Sequence, residues 1–151
     1  MKTTSAEIER FFSAGAYAVI GVSENRKKFG NIVYRTMKEK QFVVYPVNPH
    51  IDVVEEDVCY SSVAGVPGEV KSVITVVPPA ITEKVVGECI KKGITGIWIQ
   101  PGSQSNGAIE QAARAGISVI HNECILMFLE PVESFHALHR WLKKIFWAYP
   151  K

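Results

Sequence analysis

One run near the N-terminus, Gly21-Val22-Ser23-Glu24-Asn25-Arg26-Lys27-Lys28-Phe29-Gly30-Asn31, gathers the residue types that hold a phosphorylated ligand. Gly21 and Gly30 let backbone approach an anion closely. Ser23 and Asn25 carry short polar side chains that hydrogen-bond phosphate oxygens, and Arg26, Lys27 and Lys28 add positive charge. A helical pattern beginning near Asn31 places unpaired N–H groups and a positive dipole end beside them. The chemistry implied is anion binding; the competing reading of the same residues is a solvated basic turn.

Two better-known phosphate motifs are absent. Where the dinucleotide fingerprint G-x-G-x-x-G needs its second glycine, this chain has Ser23. That fingerprint also expects an acidic ribose partner about 20 residues on. Here Tyr45-Pro46-Val47-Asn48-Pro49-His50 reaches no acidic residue before Asp52, and no G-x-x-x-x-G-K-[ST] occurs. Both gaps weigh against a nicotinamide cofactor and against nucleoside triphosphate hydrolysis. An NAD(H)- or nucleotide-responsive regulator remains the alternative binding function.

Other groups that could react are fewer. His121-Asn122-Glu123-Cys124 combines a histidine, a carboxylate and a thiol, and an acyl-transfer enzyme using His121 or Cys124 is the catalytic alternative. Consecutive residues point in different directions, which favours a ligand-edge or packing role. His136 and His139 share one side of a helical pattern but have no obvious third and fourth metal ligand. Cys59, Cys89 and Cys124 form no C-x-x-C pair, so neither a disulfide framework nor a four-thiolate zinc site is expected. No catalytic or metal-ligating residue is assigned, and the protein is read as more plausibly a binder than an enzyme.

The basic run must be held by the elements on either side. It follows Tyr17-Ala18-Val19-Ile20-Gly21-Val22, a continuous apolar stretch of the kind that forms a strand buried on both faces. Runs at 42–47, 72–77, 96–100 and 117–120 repeat that signature. Helical patterns lie at 5–13, 31–40, 81–92 and 108–115, with Ser5 and Thr82 as N-cap candidates and Gly116 as a C-terminal stop. Strands alternating with helices imply parallel pairing through crossovers. The expected fold is α/β: a Rossmann-like, doubly wound five-stranded parallel sheet in a single domain. Residues 50–69 read as loop with short strand or helical turns crossing a sheet edge. Phe135, Leu138, Leu142, Ile145 and Phe146, widened by Trp141, predict a C-terminal amphipathic helix. So much apolar surface at one end favours self-association as a homodimer.

Composition agrees with this frame. The chain has 151 residues, 47% hydrophobic and 21% charged, with a net charge of +2. That suits one globular domain and excludes a disordered chain. A pI near 8.4 is only mildly basic, short of what a nucleic-acid-binding domain shows, no apolar run reaches membrane length, and residues 1–10 are not expected to be a secretory signal. A cytoplasmic protein is expected, with no nucleic-acid or membrane partner.

Five short motifs, one at each strand end, also carry a resemblance. Val19-Ile20-Gly21-Val22-Ser23, Pro46-Val47-Asn48-Pro49, Val76-Val77-Pro78-Pro79, Gln100-Pro101-Gly102 and His121-Asn122-Glu123-Cys124 resemble the coenzyme A-binding domain family. The same Rossmann-like domain opens the alpha subunit of succinyl-CoA synthetase, and the likeness covers roughly residues 5–130. It implies that the ADP part of coenzyme A, or of an acyl-CoA, lies across the strand ends. The diphosphate would then meet Ser23 and backbone N–H groups near Gly30 and Asn31, and one or more of Arg26, Lys27 and Lys28 would face the 3′-phosphate. Asn48 and Pro49 would border the adenosine. Val77, Pro78 and Pro79 would line the other side, although a pair of prolines also serves to stop a strand. Gln100, Pro101, Gly102 and Asn122 complete the implied contacts. The ligase subunit has Gly-Pro-Asn-Cys where this chain has His121-Asn122-Glu123-Cys124, and its phosphorylated histidine lies on a second domain. The resemblance is therefore to the single-domain members, which imply cofactor binding without a reaction.

Overall fold

The computed structural model describes residues 2–129. Helix α1 (Ser5–Phe12) opens the chain, followed by β1 (Ala16–Ile20), α2 (Phe29–Glu39) and β2 (Val43–Val47). A two-stranded hairpin, β3 (Val53–Val54) and β4 (Asp57–Val58), comes next. Then β5 (Ser72–Thr75), α3 (Pro79–Lys92), β6 (Gly96–Ile99), α4 (Asn106–Arg114) and β7 (Ser118–His121) complete the alternation. The five long strands pair in parallel in the order β2-β1-β5-β6-β7. The α/β Rossmann-like expectation is met.

The alternation follows from burial. Every residue of β1, β5 and β6 is buried, so these strands have no polar face to show water. Tyr17, Val19, Ile74 and Trp98 point to one side, where Ile8 and Phe11 of α1 and Val33 and Met37 of α2 cover them. Ala18, Ile20, Val73, Ile97 and Ile99 point to the other, under Val85, Val86 and Cys89 of α3 and Ala108 and Ala112 of α4. Trp98 is fully buried, edge-on to Phe11, and its indole N–H donates to the Glu123 carbonyl at 2.8 Å. Losing such a side chain to alanine costs about 3–5 kcal/mol.

Several boundaries differ from the sequence reading. Thr4, not Ser5, caps α1: it accepts from Glu7 N–H at 3.3 Å, while the Glu7 carboxylate accepts from Thr4 N–H at 2.7 Å. This is a reciprocal capping box. Helix α2 starts at Phe29, ahead of Asn31. Helix α3 starts at Pro79 because proline suits the first helical position, so Thr82 lies inside the helix, fully buried, and caps nothing. His121 belongs to β7, paired opposite Ile99, rather than to the loop after it. Residues 50–69 contain the β3–β4 hairpin and a 3₁₀ turn, Val63–Gly65. The hairpin turn uses Glu55 and Glu56, at φ of 51° and 69°. Positive φ at both central residues is the geometry of a primed turn, which Asn-Gly would have advertised and Glu-Glu did not. The C-terminal helix expected from Phe135, Leu138, Leu142, Ile145 and Phe146 lies outside the described residues.

Candidate functional site

Strand order places the site. From β1 the chain moves outward to β2, then crosses back to β5 on the other side of β1. The reversal falls at the carboxyl ends of β1 and β5, the place where open parallel sheets hold their ligands. The basic loop leaves β1 at that point.

Two glycines set the shape of the loop. Gly21 sits at φ of +111°, and a Cβ there would lie 2.1 Å from the Val76 carbonyl oxygen. A Cβ on Gly30 would lie 2.2 Å from the Gly21 carbonyl oxygen. The two glycines therefore serve close backbone-to-backbone approach, drawing the start of α2 onto the loop and the loop onto β5. Asn31 completes the clamp: its Oδ1 accepts from Ser23 N–H at 2.8 Å and its Nδ2 donates to the Ser23 carbonyl at 2.7 Å. It is fully buried, so it shapes the loop from behind. Ser23 Oγ accepts from Asn25 N–H at 3.1 Å and Asn25 Oδ1 accepts from Lys27 N–H at 3.0 Å. These successive side-chain turns curl the loop so that Arg26, Lys27 and Lys28 stand exposed. No side chain caps α2 at its N-terminus, where Phe29 is 38% exposed.

The sequence reading missed Glu55. The hairpin turn brings its carboxylate under the loop, with the side chain 5% exposed. There it accepts from Asn31 Nδ2 at 3.0 Å, Arg35 Nη1 at 2.8 Å and Arg26 Nε at 3.0 Å. Burial pushes this carboxyl up. The hydrogen bonds from Asn31 and Arg35 and the charges of Arg35 and Arg26 outweigh that and hold it below the ordinary carboxylate range. Asp57, two residues on, accepts from Tyr34 Oη at 2.6 Å and pairs with Lys38. Asn31, Tyr34, Arg35 and Lys38 recur at helical spacing along one stripe of α2, which thus receives the hairpin. The only sequence signal was an i, i+3, i+4, i+7 polar row with no stated partner.

The remaining strand ends divide into lining and support. Asn48 Nδ2 donates to the Val22 carbonyl at 2.7 Å, tying the end of β2 to the loop, and Pro49 is exposed beside it. Val22 itself is buried. Val77 is half-buried, its N–H donating to Ser103 Oγ at 3.1 Å, while Pro78 and Pro79 are exposed. Pro101 and Gly102 are exposed, as is Asn122, which sits at φ of 62°. Gln100 is placed differently from a ligand contact: it is 1% exposed, accepts from Ile125 N–H at 2.8 Å and donates to Cys124 Sγ at 3.7 Å. It braces the loop after β7. His121 has a buried Nδ1 without a hydrogen-bond partner among the described residues. Among those residues no three His, Cys, Asp or Glu side chains group as metal ligands; His136 and His139 lie outside them.

Comparison with known proteins identifies the relatives of this arrangement. The family model described as "CoA binding domain" matches residues 15–130. The chain belongs to the CoA binding domain family. It is 33% identical over 129 residues to the alpha subunit of acetate–CoA ligase [ADP-forming] II from Pyrococcus furiosus. That alignment covers 78% of this chain and 28% of the relative, so the chain spans little more than a quarter of the ligase subunit. Among solved structures, a hypothetical protein from Pyrococcus horikoshii superposes with a TM-score of 0.77 at 31% identity, covering 82% of this chain and 87% of that one. The dinucleotide forming acetyl-coenzyme A synthetase 1 of Ca. Korarchaeum cryptofilum, solved with phosphate and ADP, gives a TM-score of 0.66 at 27% identity. That match covers 74% of this chain and 26% of the synthetase. Among the described residues no helix is long and apolar enough to cross a membrane.

Proposed function

We propose that this domain binds coenzyme A, or an acyl-CoA, across the carboxyl ends of β1, β2 and β5 and catalyses no reaction of its own. The observation that carries the reading is the Gly21–Asn31 loop, which presents Arg26, Lys27 and Lys28 outward at the reversal of strand order. The diphosphate meets Ser23 and the uncapped start of α2, where unpaired N–H groups and the helix dipole favour an anion. The basic side chains face the 3′-phosphate. Pro49 and the side chain of Phe29 offer flat apolar surface to the adenosine, and Val77, Pro78 and Pro79 border the opposite side. Membership of the CoA binding domain family and likeness to acetate–CoA ligases support the choice of ligand.

A dinucleotide reading is less well served. The buried carboxylate beneath the loop, Glu55, accepts from Asn31, Arg35 and Arg26, and no acidic residue follows β2 before Asp52 to hold ribose hydroxyls. Calorimetric titration with coenzyme A, 3′-dephospho-coenzyme A and NADH separates the possibilities. Binding of coenzyme A, weaker binding of the dephospho form and no binding of NADH are expected. Absence of binding by either coenzyme would discard the reading.

A further inference from the structure

We propose that Glu55 is the specificity-determining residue of this site: it holds Arg26 by one edge so that the rest of the guanidinium forms a fixed fork for a terminal phosphate monoester. This rests on the coenzyme A reading above and names which basic residue takes the 3′-phosphate, and why.

Arg26 is anchored at both ends. Its Nε donates to Glu55 Oε2 at 3.0 Å, and its backbone carbonyl accepts from Arg35 Nη1 at 2.8 Å. Arg35 Nη1 also donates to Glu55 Oε1 at 2.8 Å, so one carboxylate and one arginine grip the residue from below. The anchor is inside and the fork outside: the Glu55 side chain is 5% exposed, the Arg26 side chain 74%. A guanidinium has five N–H donors, and Glu55 occupies the Nε edge. The Nη groups make no hydrogen bond among the described residues. Two parallel N–H bonds to a phosphate are the strongest contact an arginine offers, and a lysine cannot reproduce them. The charges also permit it. Two arginines against one carboxylate leave the cluster positive, with Lys27 and Lys28 exposed beside it. A free arginine on a mobile side chain would spend rotamer entropy to make the same contact; here folding has already fixed it.

The test uses the full chain and compares coenzyme A with 3′-dephospho-coenzyme A by calorimetry. The variants are Glu55→Gln, Arg26→Lys and the double substitution. Glu55→Gln is expected to cut the preference for coenzyme A over the dephospho form about tenfold, beyond any loss of affinity that both ligands share. Arg26→Lys, which keeps the charge and leaves Asn31 and Arg35 on Glu55 but removes both the fork and its Nε bond, is expected to do the same. The double variant should lose no more than the stronger single one, because both remove one device. Equal weakening toward both ligands would overturn the inference, since Glu55 would then be merely structural. Tighter binding of coenzyme A by Glu55→Gln would overturn it too, showing a carboxylate that competes for Arg26. Wild-type protein that binds both ligands equally sinks the selectivity device alone, whereas wild-type protein that binds neither sinks the coenzyme A reading beneath it.

Discussion

Gly30 shows how context reverses an ordinary preference. At an exposed helical position, replacing glycine by alanine stabilises by about 1 kcal/mol. Here the new methyl would stand 2.2 Å from the Gly21 carbonyl oxygen and crowd the Val22 nitrogen at 3.2 Å. Neither atom belongs to a flexible side chain, so α2 must move off the loop. Gly30→Ala is expected to destabilise the domain by about 2–4 kcal/mol, read as a lower urea midpoint at unchanged m-value. A neutral or stabilised variant would show that α2 shifts without cost. The glycine was legible in the sequence as a close-approach residue. What it approaches is backbone, which only the packing of β1 against α2 and β5 could reveal.

The β3–β4 hairpin is an element held in place largely by charge. Its buried apolar contribution is small: Val54 is 4% exposed, but Val53 and Val58 are 62% and 67% exposed. Docking therefore leans on Glu55 and Asp57 against the polar stripe of α2. Burial raises the Asp57 carboxyl, but hydrogen bonds from Lys38 and Tyr34 outweigh it and hold the group below its usual value. Both folded carboxyls thus lie below their unfolded values. The linkage follows: their contribution is complete above the ordinary carboxylate range, about pH 4, and is lost as pH falls through the depressed values. Methyl NMR of Val53 and Val58 should show the hairpin unchanged from pH 7 to about 5 and loosening below about 4, before the sheet unfolds. Loosening that coincides with global unfolding would mean that apolar contact holds the hairpin instead. None of this was visible in residues 50–69, because two glutamates at positive φ carry no turn signature.

Considered whole, the described residues form a sheet covered on both faces, with β2 and β7 as its edge strands and Tyr60 bridging to Val47 at the β2 edge. The sequence reading expects a homodimer, on the strength of Phe135, Leu138, Leu142, Ile145 and Phe146 beyond the described residues. We propose that association as a property of the full chain. Sedimentation of the 151-residue protein should give a dimer, and a version ending near Pro131 should give a monomer. A monomer in both cases would refute the expectation.

Fold class, strand number and the place of the basic loop were readable from the chain because they depend on local pattern. Uninterrupted apolar runs must be buried on both faces, and the helices between them force parallel pairing. The five strand-end motifs identified the family for the same reason: each is a contiguous string. The partner of Arg26, the brace formed by Gln100 and the dual duty of Asn31 were decided only in three dimensions. Asn31 and Glu55 lie 24 positions apart, and Gln100 lies 25 from Ile125. Hydrogen bonds across such separations depend on where the sheet and its crossovers bring the backbone, and no local pattern of residue types encodes that.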